Sequence, residues 1–328
     1  MQPSRRCHLL LLLLVSALSV TTTSSAPLPV SRTFTVDQQG GGDFKFVQSA
    51  VNFVPDGNRE WIRIHVKAGI YKEKITIPRG KPFILLEGDG SWNTQLAFDS
   101  HAHSTVKRTI KDLFGSSGNV TTSPTFESAT FIVLADNFIA RNIAFKAVAA
   151  LVGGNKSAFY DCAFYDFQDT LCDFIGRHYF HRCFIKGGVD FIFGYGQSIY
   201  DNCTLESNMP SSWMLEQPGW VTAYARPSAD APGGLVFKGG SLRGAGRQYL
   251  GRAWNEFATV IFYQMSMTDI VVPQGWQSWD SSNVSSITYA EVGCEGPGAN
   301  KTGRVPWEKE LDEEQVQKYV DITFIDDG

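Results

Sequence analysis

The sequence has little of what metal sites in proteins are made from. Its 328 residues include only six cysteines and six histidines. No two cysteines form a CxxC pair, and the histidines are scattered along the chain. Structural and catalytic zinc sites draw on closely spaced cysteines and histidines, so we expect no metal site.

A second long apolar run and an excess of positive charge are also missing. The one apolar stretch, residues 9–20, follows Arg5 and Arg6 and precedes the small residues 24–26, which is the order of a signal peptide over residues 1–26. It is short for a membrane span, although a membrane anchor is the alternative. Without Arg5 and Arg6 the chain has 27 basic and 33 acidic residues, a net charge near −6. We therefore expect a secreted, extracellular protein that binds neither membrane nor nucleic acid.

The cysteines that remain after the leader are odd in number. Cys7 falls within the leader, which leaves Cys162, Cys172, Cys183, Cys203 and Cys294. An odd count requires a free thiol or an intermolecular bridge. For the three regularly spaced ones, Cys162, Cys183 and Cys203, packing as small apolar side chains is favoured over a structural disulfide. Five glycosylation sequons also fit secretion, at Asn119, Asn155, Asn202, Asn283 and Asn300.

What the chain has in quantity is glycine and aromatic residues, and a repeat in its middle. Glycine occurs 31 times and phenylalanine 23 times, a mixture that favours turn-rich β structure. Four short β-like runs recur, and taking Asn142, Cys162, Cys183 and Cys203 as equivalent gives spacings of 20, 21 and 20 residues. Repeats of this length with short strands predict a solenoid, and the β-branched and aromatic alternation argues against helical repeats.

The repeat predicts an all-β protein, a parallel β-helix with one coil per repeat. Residues 27–328 are expected to form this single domain, with further coils at 235–237 and 260–263. Helices are expected only at the periphery, over about 45–54 and within the charged tail 308–319. Equivalent residues of adjacent coils would then stack about 4.8 Å apart.

Two aspartates occupy corresponding places in successive coils. Asp169 and Asp190 are 21 residues apart, one coil, and Asp190 stands among Phe191, Ile192 and Phe193. Two close carboxylates do not ionise equally, since one pKa rises while the other stays low. Such a pair can supply an acid together with a base or nucleophile. The spacing therefore indicates a catalytic site, although either residue alone could simply cap a turn.

At these residues the sequence resembles the plant-type pectin methylesterases, carbohydrate esterases that act on pectin. Six segments carry the resemblance in the family's order: Gly69–Glu73, Gln168–Thr170, Asp190–Gly194, Leu250–Trp254, Gly275–Trp276 and Arg304–Trp307. The resemblance runs from about Ser31 to the C-terminus. It implies a right-handed parallel β-helix of the pectin lyase-like type, in a short form without an N-terminal inhibitor-like domain.

The resemblance also implies a role for each matched residue. Asp190 would be the nucleophile on the methyl ester carbonyl, Asp169 the acid and then the base, and Gln168 an oxyanion donor. Arg252 would orient Asp190, and the aromatic floor for the sugar rings would consist of Phe193, Trp254 and Trp276. No cofactor is implied. The implied partners are homogalacturonan in the cell wall and an inhibitor protein, and the expected state is a monomer.

The sequence departs from the family at a second oxyanion residue. Where the family usually has glutamine, this chain has Lys146, and the dozen or more residues that usually precede it are missing. Lysine offers a point charge without the geometry of an amide. The alternative hypothesis is therefore a catalytically weak β-helix that binds pectin. A polygalacturonase or a calcium-dependent lyase is disfavoured, because the carboxylate clusters those enzymes need are absent from the sequence.

Overall fold

The computed structural model describes residues 28–98, 129–147, 149–210, 217–279 and 283–326. The expected signal peptide and the sequon at Asn119 lie outside these ranges. Within the ranges, no helix is both long enough and apolar enough to cross a membrane.

Three parallel sheets, here named A, B and C, make up the fold. Sheet A contains, in spatial order, β1 (Val30–Val36), β2 (Trp61–Val66), β5 (Ile84–Gly88), β8 (Phe138–Arg141), β11 (Ser157–Tyr160), β14 (Arg177–His181), β17 (Gln197–Asp201), β20 (Gly234–Lys238), β23 (Thr259–Tyr263) and β26 (Thr288–Val292). Sheet B contains β3 (Gly69–Tyr71), β6 (Thr94–Ala97), β9 (Ala144–Lys146), β12 (Ala163–Tyr165), β15 (Phe184–Gly187), β18 (Thr204–Asn208), β21 (Ser241–Ala245) and β24 (Ser266–Met267). Sheet C contains β4 (Ile75–Ile77), β7 (Phe131–Val133), β10 (Ala150–Val152), β13 (Leu171–Asp173), β16 (Val189–Gly194), β19 (Gly219–Tyr224), β22 (Gln248–Ala253) and β25 (Trp276–Gln277).

Each coil contributes one strand to each sheet, so the predicted parallel β-helix is confirmed. The strands at 235–237 and 260–263 are also confirmed, as β20 and β23. In sequence order the chain passes from sheet A through a tight corner to sheet B, then to sheet C, and returns to sheet A. Corresponding residues of neighbouring coils therefore form straight rows, and a row can be read from the strand register alone.

The corner between sheets A and B corrects the predicted repeat by one residue. Arg141 pairs with Tyr160 and Ala144 with Ala163, so the residue equivalent to Cys162 is Ile143 and not Asn142. Asn142 instead occupies the corner itself, with φ 55°, in the row that continues with Asp161, Arg182 and Asn202. These left-handed residues turn the chain sharply, and asparagine and aspartate tolerate this conformation best. The apolar residue that follows each of them points into the core.

The cysteines at this corner are free thiols. Cys162, Cys183 and Cys203 are each 1% exposed and belong to the main core cluster, and none of them forms a disulfide. The favoured reading of these cysteines as small apolar side chains is confirmed. Cys172 is also free and buried, and Cys294 is free and half-buried.

A ladder of aromatic rings fills the core behind sheet A. Phe159, Phe180, Tyr200, Phe237 and Phe262 stack in successive coils, with ring centroids 5.0, 4.5, 4.6 and 4.6 Å apart. Register forces this arrangement, since each residue pairs with the next along the sheet. Offset stacking of this kind adds to the energy of burying the rings themselves.

Truncating one ring of this ladder should destabilise the protein strongly. We expect Phe180→Ala to lower the free energy of unfolding by about 3–5 kcal/mol, because it opens a cavity between two stacked neighbours. Denaturant unfolding measures this change. Phe46→Ala is the matched control, since Phe46 is 59% exposed and should change the value by less than about 0.5 kcal/mol. Equal effects of the two substitutions would contradict the description of the core.

The helices lie at the periphery, as predicted. Helix α1 (Val47–Phe53) covers one end of the β-helix and buries Val47, Ala50 and Val51. Helix α2 (Glu313–Val320) begins at a capping box formed by Asp312 and Gln315, and it packs Val316 and Val320 against the outer face of sheet A. Short 3₁₀ turns complete the C-terminal region at Pro297–Ala299, Lys301–Gly303 and Ile322–Phe324.

Candidate active site

Asp169 and Asp190 lie opposite each other on neighbouring coils of sheet C. Gln168 bridges to Val189, and Leu171 pairs with Ile192, so the two aspartates fall between two register-matched pairs. Their backbones are therefore about 4.8 Å apart in the direction of the β-helix axis. Both adopt left-handed conformations, with φ 59° for Asp169 and 47° for Asp190. The one-coil offset predicted from the 21-residue spacing is what the register gives.

A β-bulge sets the direction of the Asp190 side chain. Val189 pairs with Trp220 and Ile192 with Thr222, so β16 has one residue more than β19 between these pairs. Bulges bend a strand and re-aim its side chains, and they are frequent beside active sites. The two strands also approach closely here: a Cβ added to Gly219 would lie 1.9 Å from the carbonyl oxygen of Gly188. A glycine at position 219 thus permits the bulge that carries Asp190.

Arg252 reaches Asp190 from two coils away. Its Nε donates to Oδ1 of Asp190 at 2.8 Å, and its Nη2 donates to Oδ2. The row between them is occupied by Ala223, which pairs with Arg252 in β22 and is small enough to let the long side chain pass. The pair is shielded from solvent, with side-chain exposures of 14% for Arg252 and 6% for Asp190. Such two-point contacts fix orientation as well as charge.

Two tryptophans that the sequence reasoning missed enclose the arginine. The guanidinium carbon of Arg252 lies 4.2 Å from the ring centroid of Trp220 and 3.8 Å from that of Trp279. Trp220 is held in turn by a 2.9 Å hydrogen bond from its Nε1 to Oε1 of Gln277. Trp279 is 43% exposed and has a left-handed backbone, φ 52°, which is unusual for so bulky a residue. Stacking on both faces restrains the guanidinium group next to Asp190.

Burial and Arg252 act on the Asp190 carboxyl in opposite directions. Burial raises the pKa of Asp190 above its ordinary value, and the hydrogen bonds and charge of Arg252 oppose this without cancelling it. A carboxylate with a raised pKa is a better base and a better nucleophile than an exposed one. Arg252 keeps that carboxylate ionised and oriented at pH values above its pKa.

Gln168 stands beside the aspartates with its side chain available. It is exposed, and within the described part of the chain its amide group has no hydrogen-bond partner. It immediately precedes Asp169, at the mouth of the site. An amide in this position can donate to a negatively charged oxygen that develops near the two carboxylates.

An aromatic wall adjoins the site on the outer face of sheet C. Phe193 and Trp254 meet edge to face with centroids 6.0 Å apart, so the structure brings together two of the three predicted floor residues. Tyr195, which the sequence reasoning missed, lies 6.0 Å from Trp254 and is 39% exposed. Phe193 itself is only 5% exposed, so Trp254 and Tyr195 offer the accessible ring surface.

Trp276 is not part of this wall, and the expectation that it contacts sugar is wrong for this structure. It pairs with Gly251, whose neighbours along the row point into the core. The side chain is 1% exposed, packs 4.6 Å from Tyr289, and donates from Nε1 to Glu308 at 3.0 Å. Alternation along the strand explains the difference, because the next residue, Gln277, is the one that faces outward beside Arg252.

The structure places Lys146 on sheet B, whereas the aspartates belong to sheet C. It ends strand β9, and its Nζ lies 5.4 Å from the ring centroid of Tyr165. Only residues 147–149 connect it to β10, while five residues connect Tyr165 to β13 in the next coil. The short connection keeps Lys146 on the outer face of sheet B. Its predicted role as a substrate contact at the oxyanion stays a prediction.

Comparison with known proteins supports the resemblance of the motifs. The family model described as Pectinesterase matches residues 33–328. The chain belongs to the pectinesterase family. It is 42% identical to Probable pectinesterase 29 of Arabidopsis thaliana over 314 residues, which cover 89% of this chain and 87% of the relative. Probable pectinesterase 55 of the same plant is also 42% identical, with 89% and 88% covered.

A solved structure gives the same result for the fold. The pectin methylesterase from carrot superposes with a TM-score of 0.77 at 31% identity, covering 92% of this chain and 94% of that one. This pectinesterase thus shares its β-helix with a family member at full domain length. Among the described residues no three histidine, cysteine, aspartate or glutamate side chains are grouped so as to hold a metal ion.

Proposed function

We propose that this pectinesterase hydrolyses the methyl esters of homogalacturonan with Asp190 as nucleophile and Asp169 as acid and base. The observation that carries the proposal is the buried two-point pair of Asp190 with Arg252, one coil away from Asp169. A carboxylate that is buried, oriented and paired next to a second carboxyl is arranged for chemistry rather than for stability.

In the first step an oxygen of Asp190 attacks the ester carbonyl carbon of a galacturonate residue. The tetrahedral oxyanion collapses, the bond to the methoxy oxygen breaks, and the proton of Asp169 goes to that oxygen as methanol leaves. The product of this step is a mixed anhydride between Asp190 and the sugar carboxyl. Asp169 is now a carboxylate.

In the second step Asp169 removes a proton from water, whose oxygen attacks the sugar carbonyl of the anhydride. The bond to Asp190 breaks, which frees a galacturonate carboxylate and returns Asp190 to its ionised form beside Arg252. Asp169 keeps the proton it has taken and is ready for the next ester. One ester and one water thus give one methanol and one acid, without a cofactor.

Gln168 would donate to the oxyanion in both steps. One preorganised donor of this kind contributes about 3 kcal/mol to the transition state. Because Lys146 lies on sheet B beside Tyr165, oxyanion stabilisation from the protein would rest chiefly on Gln168. Trp254 and Tyr195, supported by Phe193, would contact the apolar faces of the sugar rings.

The pH dependence of the reaction should follow the ionisation of Asp190. Its pKa is raised by burial, and the nucleophile must be ionised, so kcat/KM should fall as the pH drops through a value above the ordinary aspartate pKa of about 3.9. A pH profile of methanol release measures this acid limb. An acid limb at or below about pH 4 would contradict the proposed role of burial.

The activity itself is tested by methanol release from methyl-esterified pectin by the purified chain. We expect turnover, and we expect Gln168→Ala to lower kcat by about 100-fold, in line with the loss of one oxyanion donor. Pectin binding without release of methanol would instead support the alternative of a catalytically weak pectin-binding β-helix. Lys146→Gln separates the remaining cases, because only a role for Lys146 at the oxyanion predicts a change in kcat.

The substrate places the protein at plant cell-wall pectin, outside the cell. We propose that residues 1–26 direct its secretion and that it acts as a monomer, with an inhibitor protein of the cell wall as a further partner. Asn283 and Asn300 are exposed and would carry glycans, since a hydroxyl two residues on, from Ser285 or Thr302, already bonds each asparagine Oδ1.

A further inference from the structure

An unusual group of exposed aromatic and basic side chains covers part of the outer face of sheet B. We call this group the sheet B face and define it by Trp92, Lys146, Tyr165, Phe184 and Lys186. Trp92 is 73% exposed, more than any other large apolar side chain in the described part of the chain. None of these residues contacts Asp190 or Arg252, and apart from Lys146 none belongs to the predicted catalytic constellation.

The rings of this face form one cluster. Trp92 lies 6.3 Å from Tyr165 and 6.4 Å from Phe184, and Tyr165 and Phe184 are 5.5 Å apart. The inner positions beside them are Ala144 and Ala163, which are 0% and 2% exposed and leave room for the large rings. An open group of rings of this size is a platform for the apolar faces of a ligand.

Lysines border the platform, and their charge is not neutralised. Lys146, Tyr165 and Lys186 pair in register on successive coils, and the row continues with Glu206 and Arg243. Glu206 contacts both Lys186, at 3.0 Å, and Arg243, at 3.3 Å, so one carboxylate serves two cations. Lys146 has no carboxylate within 4.0 Å among the described residues. Three cations and one anion leave this row positive, in a chain whose net charge is −4.

The row also lies next to the aspartates along the chain. Tyr165 precedes Asp169 by four residues, and Lys186 precedes Asp190 by four residues. Each stands at or near the end of a sheet B strand, just before the turn that leads into sheet C. A polysaccharide leaving the site over this edge would therefore meet the lysine row and then the rings.

We propose that the sheet B face is a second polysaccharide-binding surface, selective for de-esterified homogalacturonan over the methyl ester. The inference rests on the proposed function, because that reaction turns a neutral ester into a carboxylate on each sugar. Rings would take the apolar sugar faces and the lysines would take the new carboxylates. The esterified substrate lacks those carboxylates and gains only the ring contacts.

The test measures binding of the full chain to de-esterified and to fully methyl-esterified oligogalacturonate by titration calorimetry. The parent carries Asp190→Asn, so that no ester is converted during the measurement. We expect Lys186→Gln to weaken binding of the de-esterified ligand about tenfold and to flatten its salt dependence, with less than about twofold change for the ester. Trp92→Ala should weaken both ligands.

Two controls lie far from the face. Phe46→Ala removes another exposed ring, and Lys318→Gln removes another exposed cation; neither should change either affinity by more than about twofold. If Lys186→Gln and Trp92→Ala, with thermal unfolding like the parent, also bind both ligands within twofold, the sheet B face is not a binding surface. Methanol release by the unmodified chain is measured separately, so that a failure of the proposed function is recognised independently of this result.

Discussion

Replacing Asp190 by asparagine should abolish methanol release while leaving the fold intact. Asparagine has nearly the same shape, but its amide is not a nucleophile, and no acyl-enzyme can form. Removal of a catalytic nucleophile typically lowers kcat by 10⁴-fold or more, and we expect a loss of about that size. Methanol release and denaturant unfolding, measured on the same preparation, report the two properties.

The stability of the Asp190→Asn protein is the informative part of this prediction. Because burial raises the pKa of Asp190, its ionised form is held in the fold at an energetic cost that Arg252 only partly offsets. A neutral amide avoids that cost, so the free energy of unfolding should stay within about 1 kcal/mol of the wild type or rise. Asp161→Asn, at an exposed ion pair, should leave activity unchanged. Substantial activity in Asp190→Asn would exclude it as nucleophile.

Replacing Arg252 by methionine should lower activity at neutral pH by about 100-fold or more. The substitution removes both hydrogen bonds to Asp190, and a nucleophile displaced by about 1 Å loses roughly that factor. It also removes the positive charge that lowers the pKa of Asp190. The acid limb of the pH profile should therefore move to higher pH, and part of the lost activity should return as the pH is raised.

Arg182 supplies a matched control for Arg252. It makes the same two-point contact with Asp161, at 2.8 Å for both bonds, but on the surface, with side-chain exposures of 56% and 40%. Arg182→Met should change stability by less than about 1 kcal/mol and leave activity unchanged. Arg252→Lys keeps the charge without the planar fork and should fall between the two. An unshifted pH profile in Arg252→Met would contradict the electrostatic role of Arg252.

Sequence spacing was sufficient for the fold and for the position of the two aspartates. A repeat of 20 or 21 residues with short β-branched and aromatic runs leaves few alternatives to a β-helix, and a 21-residue offset places Asp169 beside Asp190 in any such fold. The off-by-one at Asn142 shows the limit of this reasoning. The coil that contains Asn142 is shorter by one residue at that point than the next, and only the strand register reveals which residue stands at the corner.

The surroundings of Asp190 could not be predicted in the same way. Trp276 and Trp279 are three residues apart, and β25 has only two residues, too few for its alternation to show which ring faces outward. Trp220 reaches Arg252 because β16 is bulged opposite it, a feature with no clear mark in the sequence. Family resemblance supplied roles for residues in motifs, whereas Trp220 and Tyr195 lie outside the motifs that carried the resemblance.

The central claim is that an acyl group is transferred to Asp190, and hydroxylamine trapping tests it most directly. Purified enzyme is incubated with methyl-esterified pectin and hydroxylamine near pH 6, and methanol and hydroxamate are both quantified. A mixed anhydride at Asp190 divides between water and hydroxylamine, so hydroxamate should form in proportion to methanol and should drop to the enzyme-free level in Asp190→Asn. Methanol release by the wild type with hydroxamate no higher than that enzyme-free level would mean that water attacks the ester directly, and Asp190 would not be the nucleophile.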